Sequence, residues 1–154
     1  MIVKNKYNII VALLFSFLVV FFAVNKNYKQ NNGLYVELGL GSNVSGVVQL
    51  FYDTGAGFNE GDSLSLTLKV GEVANYLFSI PSTQIKNLRI DPVNNAGTIT
   101  INKLEYKNKD GSTLKGFKLE DFIPSNEIAN MKIIGDSLTF KSGSDSAFII
   151  KDSE

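Results

Sequence analysis

The stretch LYVELGLGSNVSGVVQLFYD, residues 34–53, decides the fold class. Leu34, Val36, Leu38 and Leu40 alternate with Tyr35, Glu37 and Gly39, a period of two that gives a strand one buried face. The denser apolar run at 47–52 suits a strand inside a sheet. Outward from it the same signal returns at 63–70, where Leu64, Leu66, Leu68 and Val70 interleave with Ser65, Thr67 and Lys69. Further strands are expected at 75–80, 88–90, 98–106, 114–119, 131–134, 137–141 and 147–151, with Gly, Asn, Asp and Pro punctuation between them. One or two helical turns are expected at 125–130, after Pro124. The expected fold is therefore all-β: an antiparallel two-layer β-sandwich of jelly-roll type, with a barrel as the alternative.

The 154 residues have room for one domain and an appendage. Residues 9–24 read IIVALLFSFLVVFFAV, interrupted only by Ser16. As a helix they reach ~24 Å, and Tyr7, Tyr28, Lys4, Lys6, Lys26 and Lys29 at the flanks extend the span toward a full bilayer crossing. A cleaved secretory signal is the rival reading, but no small-x-small site follows the apolar run, and a chain without cysteine has no lipoprotein anchor. The expected organisation is a short cytoplasmic tail (1–8), a transmembrane signal anchor (9–24), a polar tether (25–32) and an extracytoplasmic domain (33–154). The lipid bilayer is thus the first expected partner, and the expected location is the cell membrane, single-pass.

Charge and composition exclude several functions. Residues 1–32 carry four lysines and no acid, whereas 33–154 carry eleven basic against fifteen acidic residues. An acidic domain repels a polyanion, so nucleic acid is not expected as a partner. The absence of both Cys and His removes thiolate and His-based catalysis, disulfides and nearly every zinc site. No cofactor is expected. A calcium ion held by Asp53, Glu60, Asp62 and Asp91 is the one metal alternative, without EF-hand spacing.

Asp53-Thr54-Gly55, following the strand VVQLFY, matches the way aspartic proteases present a catalytic carboxylate, and Ile133-Ile134-Gly135-Asp136 is similar to their supporting element. A tethered dimeric protease of the retropepsin type is therefore the runner-up function. The simpler reading makes Asp53 a turn cap and IIGDSLTF a strand, a Gly-Asp turn and a strand.

A longer pattern points elsewhere. VVQLFYDTGAGFNEGDSLSLTL, YLFSIP and IKNLRIDPVNNAGTITINKLEY occur in order, with a weaker continuation in KDGSTLKGFKLEDF. Over residues 47–106 this resembles the β-sandwich domain that accompanies bacterial membrane-embedded glycosyltransferases and other surface-polysaccharide membrane proteins. The resemblance implies a carbohydrate-binding-module-like jelly roll outside the cytoplasm. Because no multi-span region follows, it implies a non-catalytic accessory, recognising glycan or docking on polysaccharide-synthesis machinery. A purely structural protein–protein contact is a further alternative.

Candidate ligand-binding residues are Tyr52, Asp53, Phe58, Asn59, Glu60, Arg89 and Asp91. Arg89 is the only arginine, and its planar fork calls for a bidentate partner in Asp91, Asp53 or Glu60, either as an internal ion pair or as a ligand clamp. Phe58, with Tyr52 and Tyr76, offers either core packing or a sugar-stacking ring beside Asn59 and Glu60. Glu120 and Asp121, adjacent on an expected strand, would face opposite ways and make a poor acid–base pair.

Overall fold

The computed structural model describes residues 34–81 and 84–152. The backbone divides into Met1–Asn32 and Gly33–Glu154, and the expected tail, anchor and tether lie outside the described residues. Among the described residues no helix is long and apolar enough to cross a membrane.

The second unit is all-β and antiparallel. Among the described residues its nine strands are β1 (Leu34–Ser42), β2 (Gly46–Asp53), β3 (Ser63–Leu68), β4 (Ala74–Ile80), β5 (Asn87–Asp91), β6 (Gly97–Lys107), β7 (Thr113–Gly116), β8 (Ile123–Ile134) and β9 (Ser137–Lys151). They form one hydrogen-bonded sheet in the order β3-β2-β5-β9-β6-β1-β4, with β7 on β6 and β8 on β9.

The registers show how this sheet is built. β9 pairs through Leu138–Ser142 with β6 and through Phe148–Lys151 with β5, while β8 takes its other edge along both halves. β5 and β6 therefore lie end to end along β9. In the same way β2 and β1 lie end to end along β5 and β6, and β3 and β4 along β2 and β1. Three of the tracks are interrupted at one level, at 43–45, 69–73 and 92–96, and there β9 runs on through 143–147 without pairing to β6 or β5.

Side-chain amides hold this line of bends. Asn43 Oδ1 accepts from Thr98 N at 2.7 Å, Asn94 Oδ1 accepts from Val47 N at 3.0 Å, and Asn95 Nδ2 donates to the Ser45 carbonyl at 2.8 Å. Backbone groups that lose ladder partners at a bend are satisfied there by Asn instead. Two glycines let neighbouring bends approach. A Cβ on Gly46 would stand 2.6 Å from Asn94 Oδ1, and one on Gly97 would stand 2.5 Å from Val44 Cγ2.

Alternation along the strands puts one apolar face inward, where Leu38, Leu40, Leu50, Ile90, Ile101 and Phe148 join a single buried cluster. Phe148 is its pivot, with edge-to-face contacts to Phe140 at 4.8 Å and Phe122 at 5.7 Å. Each such buried ring contributes ~2–3 kcal/mol of transfer free energy.

Three local expectations are corrected. Residues 125–130 are not helical but lie within β8, because antiparallel pairing with β9 outweighs the weak helical preference of a Ser/Asn-rich segment. The pairing is irregular: Glu127 and Asn130 have φ of 43° and 53°, beside two of the register shifts. The strands expected at 137–141 and 147–151 are one continuous β9. Glu120 and Asp121 lie not on a strand but in the 3-10 turn Leu119–Asp121, where both are exposed.

Candidate functional site

Antiparallel β2 and β5 form the ladder on which most of the expected site residues stand, with Gln49 opposite Asp91, Phe51 opposite Arg89 and Asp53 opposite Asn87. Alternation sends Val48, Leu50 and Tyr52 into the core and Gln49, Phe51 and Asp53 to the outer face. Tyr52 is thus a buried core residue, and burial pushes its hydroxyl pKa up.

At one end of the ladder stands Asp53. Its Oδ1 accepts from the amides of Gly55 at 2.6 Å and Gly57 at 2.9 Å, and its Oδ2 accepts from Asn87 Nδ2 at 2.9 Å. The Asn87 bond, then the two amides, hold its carboxyl below the ordinary carboxylate range. Gly55 at φ 121° and Gly57 at φ 86° give the loop the left-handed backbone that aims both amides at one oxygen. This is an Asx-type cap closing the 54–57 turn. Ile134, Gly135, Asp136 and Ser137 likewise form a strand end, a turn and a strand start, with Gly135 at φ 57°.

At the other end the outer face opens into a cleft of about 390 Å³, lined among others by Gln49, Phe51, Glu60, Arg89, Asp91 and Asp145. Arg89 and Asp91, two apart on β5, point to the same face, and the guanidinium grips the carboxylate with Nε to Oδ1 at 2.8 Å and Nη2 to Oδ2 at 2.7 Å. The guanidinium carbon lies 4.9 Å from the centroid of the Phe51 ring, which is only 4% exposed beneath it. Gln49 Nε2 donates to Glu60 Oε2 at 2.9 Å and Ser63 Oγ at 3.0 Å, drawing Glu60 over the outer face.

Three carboxylates, Glu60, Asp91 and Asp145, thus line the cleft with one guanidinium, of which Asp91 alone is bonded to it. Burial raises the Asp91 pKa, an effect that outweighs the lowering by Arg89, and Asp145 and Glu60 add to the rise. The Asp91 contact in turn raises the pKa of Arg89. The cleft offers carboxylate and amide oxygens as acceptors and the guanidinium as donor, a set matched to a polyhydroxylated ligand.

The sequence-expected residues therefore separate. Glu60, Arg89 and Asp91 meet in the cleft. Tyr52 faces the core, and Asp53 caps the far turn. Phe58 is half-buried and does not line the cleft. Asn59 caps the turn Glu60–Asp62, its Oδ1 accepting from Asp62 N at 3.1 Å and its Nδ2 donating to Asp62 Oδ2 at 2.8 Å. Among the described residues no three carboxylates are placed to hold a metal ion, and Asp53 and Asp91 stand at opposite ends of the ladder, so the calcium alternative is not assembled.

Gln49, Phe51 and Asp145 belong to the site although no local motif marks them. Gln49 and Phe51 are legible as outward positions once β2 is in register with β5. Asp145 comes from the stretch of β9 between its pairings with β6 and β5, where Asn126 Nδ2 donates to its Oδ2 at 2.7 Å. Two wider grooves offer less. That of about 420 Å³ beside Leu77 holds Glu37 and Lys107, bridged to each other, and that of about 600 Å³ beside Val70 and Val73 is mainly apolar.

Comparison with protein-family profiles, with curated proteins and with solved structures returned no match to this chain.

Proposed function

We propose that the chain is a non-catalytic, membrane-anchored, extracytoplasmic module of the jelly-roll β-sandwich class that recognises surface glycan through the cleft around Arg89. The carrying observation is the convergence of Gln49, Glu60, Arg89, Asp91 and Asp145 on one outer face. The Arg89–Asp91 fork, laid on Phe51, is held before any ligand arrives, so little side-chain entropy remains to be lost on binding. Carboxylates take hydrogen bonds from vicinal sugar hydroxyls, and the unshared guanidinium N–H groups give them. A volume of about 390 Å³ suits one or two sugar rings.

The jelly-roll class is favoured by the line of bends, since a five-track sheet folded across its middle brings two layers face to face around one core. Anchoring rests on the apolar run at 9–24 and its lysine flanks. A carboxylate that already accepts three internal hydrogen bonds is a poor start for acid–base chemistry, and Asp53 is in that position.

The test is a glycan array probed with the wild-type chain and with Asp145→Asn and Phe58→Ala. Loss of signal in the first variant and its retention in the second is the expected result. No wild-type signal on any surface polysaccharide overturns glycan recognition, and pepstatin-sensitive proteolysis overturns the non-catalytic reading. Protease added to intact spheroplasts is expected to digest residues 33–154, and protection until lysis overturns the anchored topology.

A further inference from the structure

Among the described residues the sheet ends on open edges, and these differ in kind. β8 carries Pro124, two residues of positive φ, three register shifts and the charges of Glu127 and Lys132. Those are the devices by which an edge strand resists pairing with another chain. β4 has none of them. Its seven residues, ANYLFSI, hold no charge and no proline, and it pairs with β1 from Leu34↔Ile80 to Leu40↔Ala74 without a register shift. Its neighbour on the same track, β3 (SLSLTL), is equally uncharged. A regular, uncharged edge is a ready template for one more strand.

The sequence of β4 also says which strand. About Leu77 it is a chemical palindrome: Tyr76 balances Phe78, Asn75 balances Ser79, and Ala74 balances Ile80. We infer that β4 is a homodimer edge, pairing antiparallel with β4 of a second copy across a twofold axis at Leu77. A twofold antiparallel pair places residue i opposite the residue equally far beyond the axis. Aromatic then meets aromatic, amide meets hydroxyl, and Leu77 meets Leu77 of the second copy. Leu77 is 54% exposed on the outer face, apolar surface that this pairing covers. Two copies of an acidic domain repel each other, and an uncharged strand is where they meet with least like-charge cost.

The chain has no cysteine, so Leu77→Cys supplies a single thiol. Opposed residues in an antiparallel pair have Cβ atoms ~4.5–5.5 Å apart, within reach of a disulfide after small adjustment. Full-length Leu77→Cys in detergent is expected to form a covalent dimer on mild oxidation, whereas Met131→Cys on β8 is not. Sedimentation of the cysteine-free chain is expected to show a dimer that Leu77→Lys weakens by at least about tenfold, with its circular dichroism unchanged. A wild-type chain that stays monomeric at every concentration reached overturns the inference. So does a dimer that traps through Met131→Cys and not Leu77→Cys, and so does a Leu77→Cys variant that cross-links in membranes only to a different protein.

Discussion

Asp53 and Asp91 stand on the same β2–β5 ladder and face the same side of the sheet, yet they have opposite characters. Asp53 is closed: two backbone amides and Asn87 take its lone pairs, and its pKa is lowered. Asp91 is open: one guanidinium grips it beside a cleft that also holds Glu60 and Asp145, and burial raises its pKa. The recognisable motif, Asp-Thr-Gly, belongs to the closed end. A carboxylate in a familiar tripeptide is thus no guide to function until its hydrogen-bond partners are counted.

The contrast is most severely tested by substitutions that strike one end alone. Gly46→Val is expected to destabilise by about 1–3 kcal/mol, because its side chain presses on Asn94 and Val93. Denaturant unfolding measures the cost, and hydrogen exchange is expected to show loss of protection around the cleft with the Gly55 and Gly57 amides still protected. Equal loss at both ends would show that the ladder responds as one unit.

Next in size is Asp53→Ala, which strands the two amides and Asn87. The melting temperature is expected to fall by several degrees, while glycan affinity measured well below it stays as it was. A fall in affinity without a change in melting would move function to the Asp53 end.

Arg89→Lys removes the planar fork and keeps the charge. Binding is expected to weaken by about tenfold, with the unfolding midpoint nearly unmoved, as read by calorimetric titration and thermal melts.

Acid should act on the two ends in sequence, the smallest effect but the most diagnostic. Asp91, with a raised pKa, takes its proton above the ordinary value of ~3.9. That breaks the Arg89 fork and binding, while its own titration does not weaken the fold, since the folded state binds that proton more readily than the unfolded one. Asp53, with a lowered pKa, gives stabilisation that is whole above ~3.9 and is lost as pH falls through its lower folded value. A pH series of binding and melting should therefore lose affinity first. Coincident loss would erase the distinction between open and closed carboxylates.

Much of the fold was legible because burial on one face imposes a period of two. The strands expected at 47–52, 75–80 and 98–106 match β2, β4 and β6 to within a residue. β8 was legible only at its end, because at 125–130 its pattern is broken by residues that bulge and stay exposed. Within the site, the Arg89–Asp91 pair could be read from two positions on one strand face. Gln49 and Asp145 could not, since the cleft joins residues 96 apart in sequence through a register and a gap between the pairings of β9 that no local pattern encodes. Phe58 misled because an aromatic near polar neighbours looks the same whether or not its ring lines a cleft, and the ring beneath Arg89 is Phe51.

The place of β9 governs the order of events in time. Among the described strands it comes last in sequence, yet it lies in the interior of the sheet, joining β5 and β6 to β8 along both edges. Until Ser137–Lys151 has been synthesised, β5 and β6 lack the strand that aligns them, and Phe148 is absent from the core. The sheet is therefore expected to close only after residues through Lys151 have left the ribosome. Contacts of such long sequence separation make that step slow, and every nascent chain spends an interval unfolded, with its apolar strands open to chaperones and proteases.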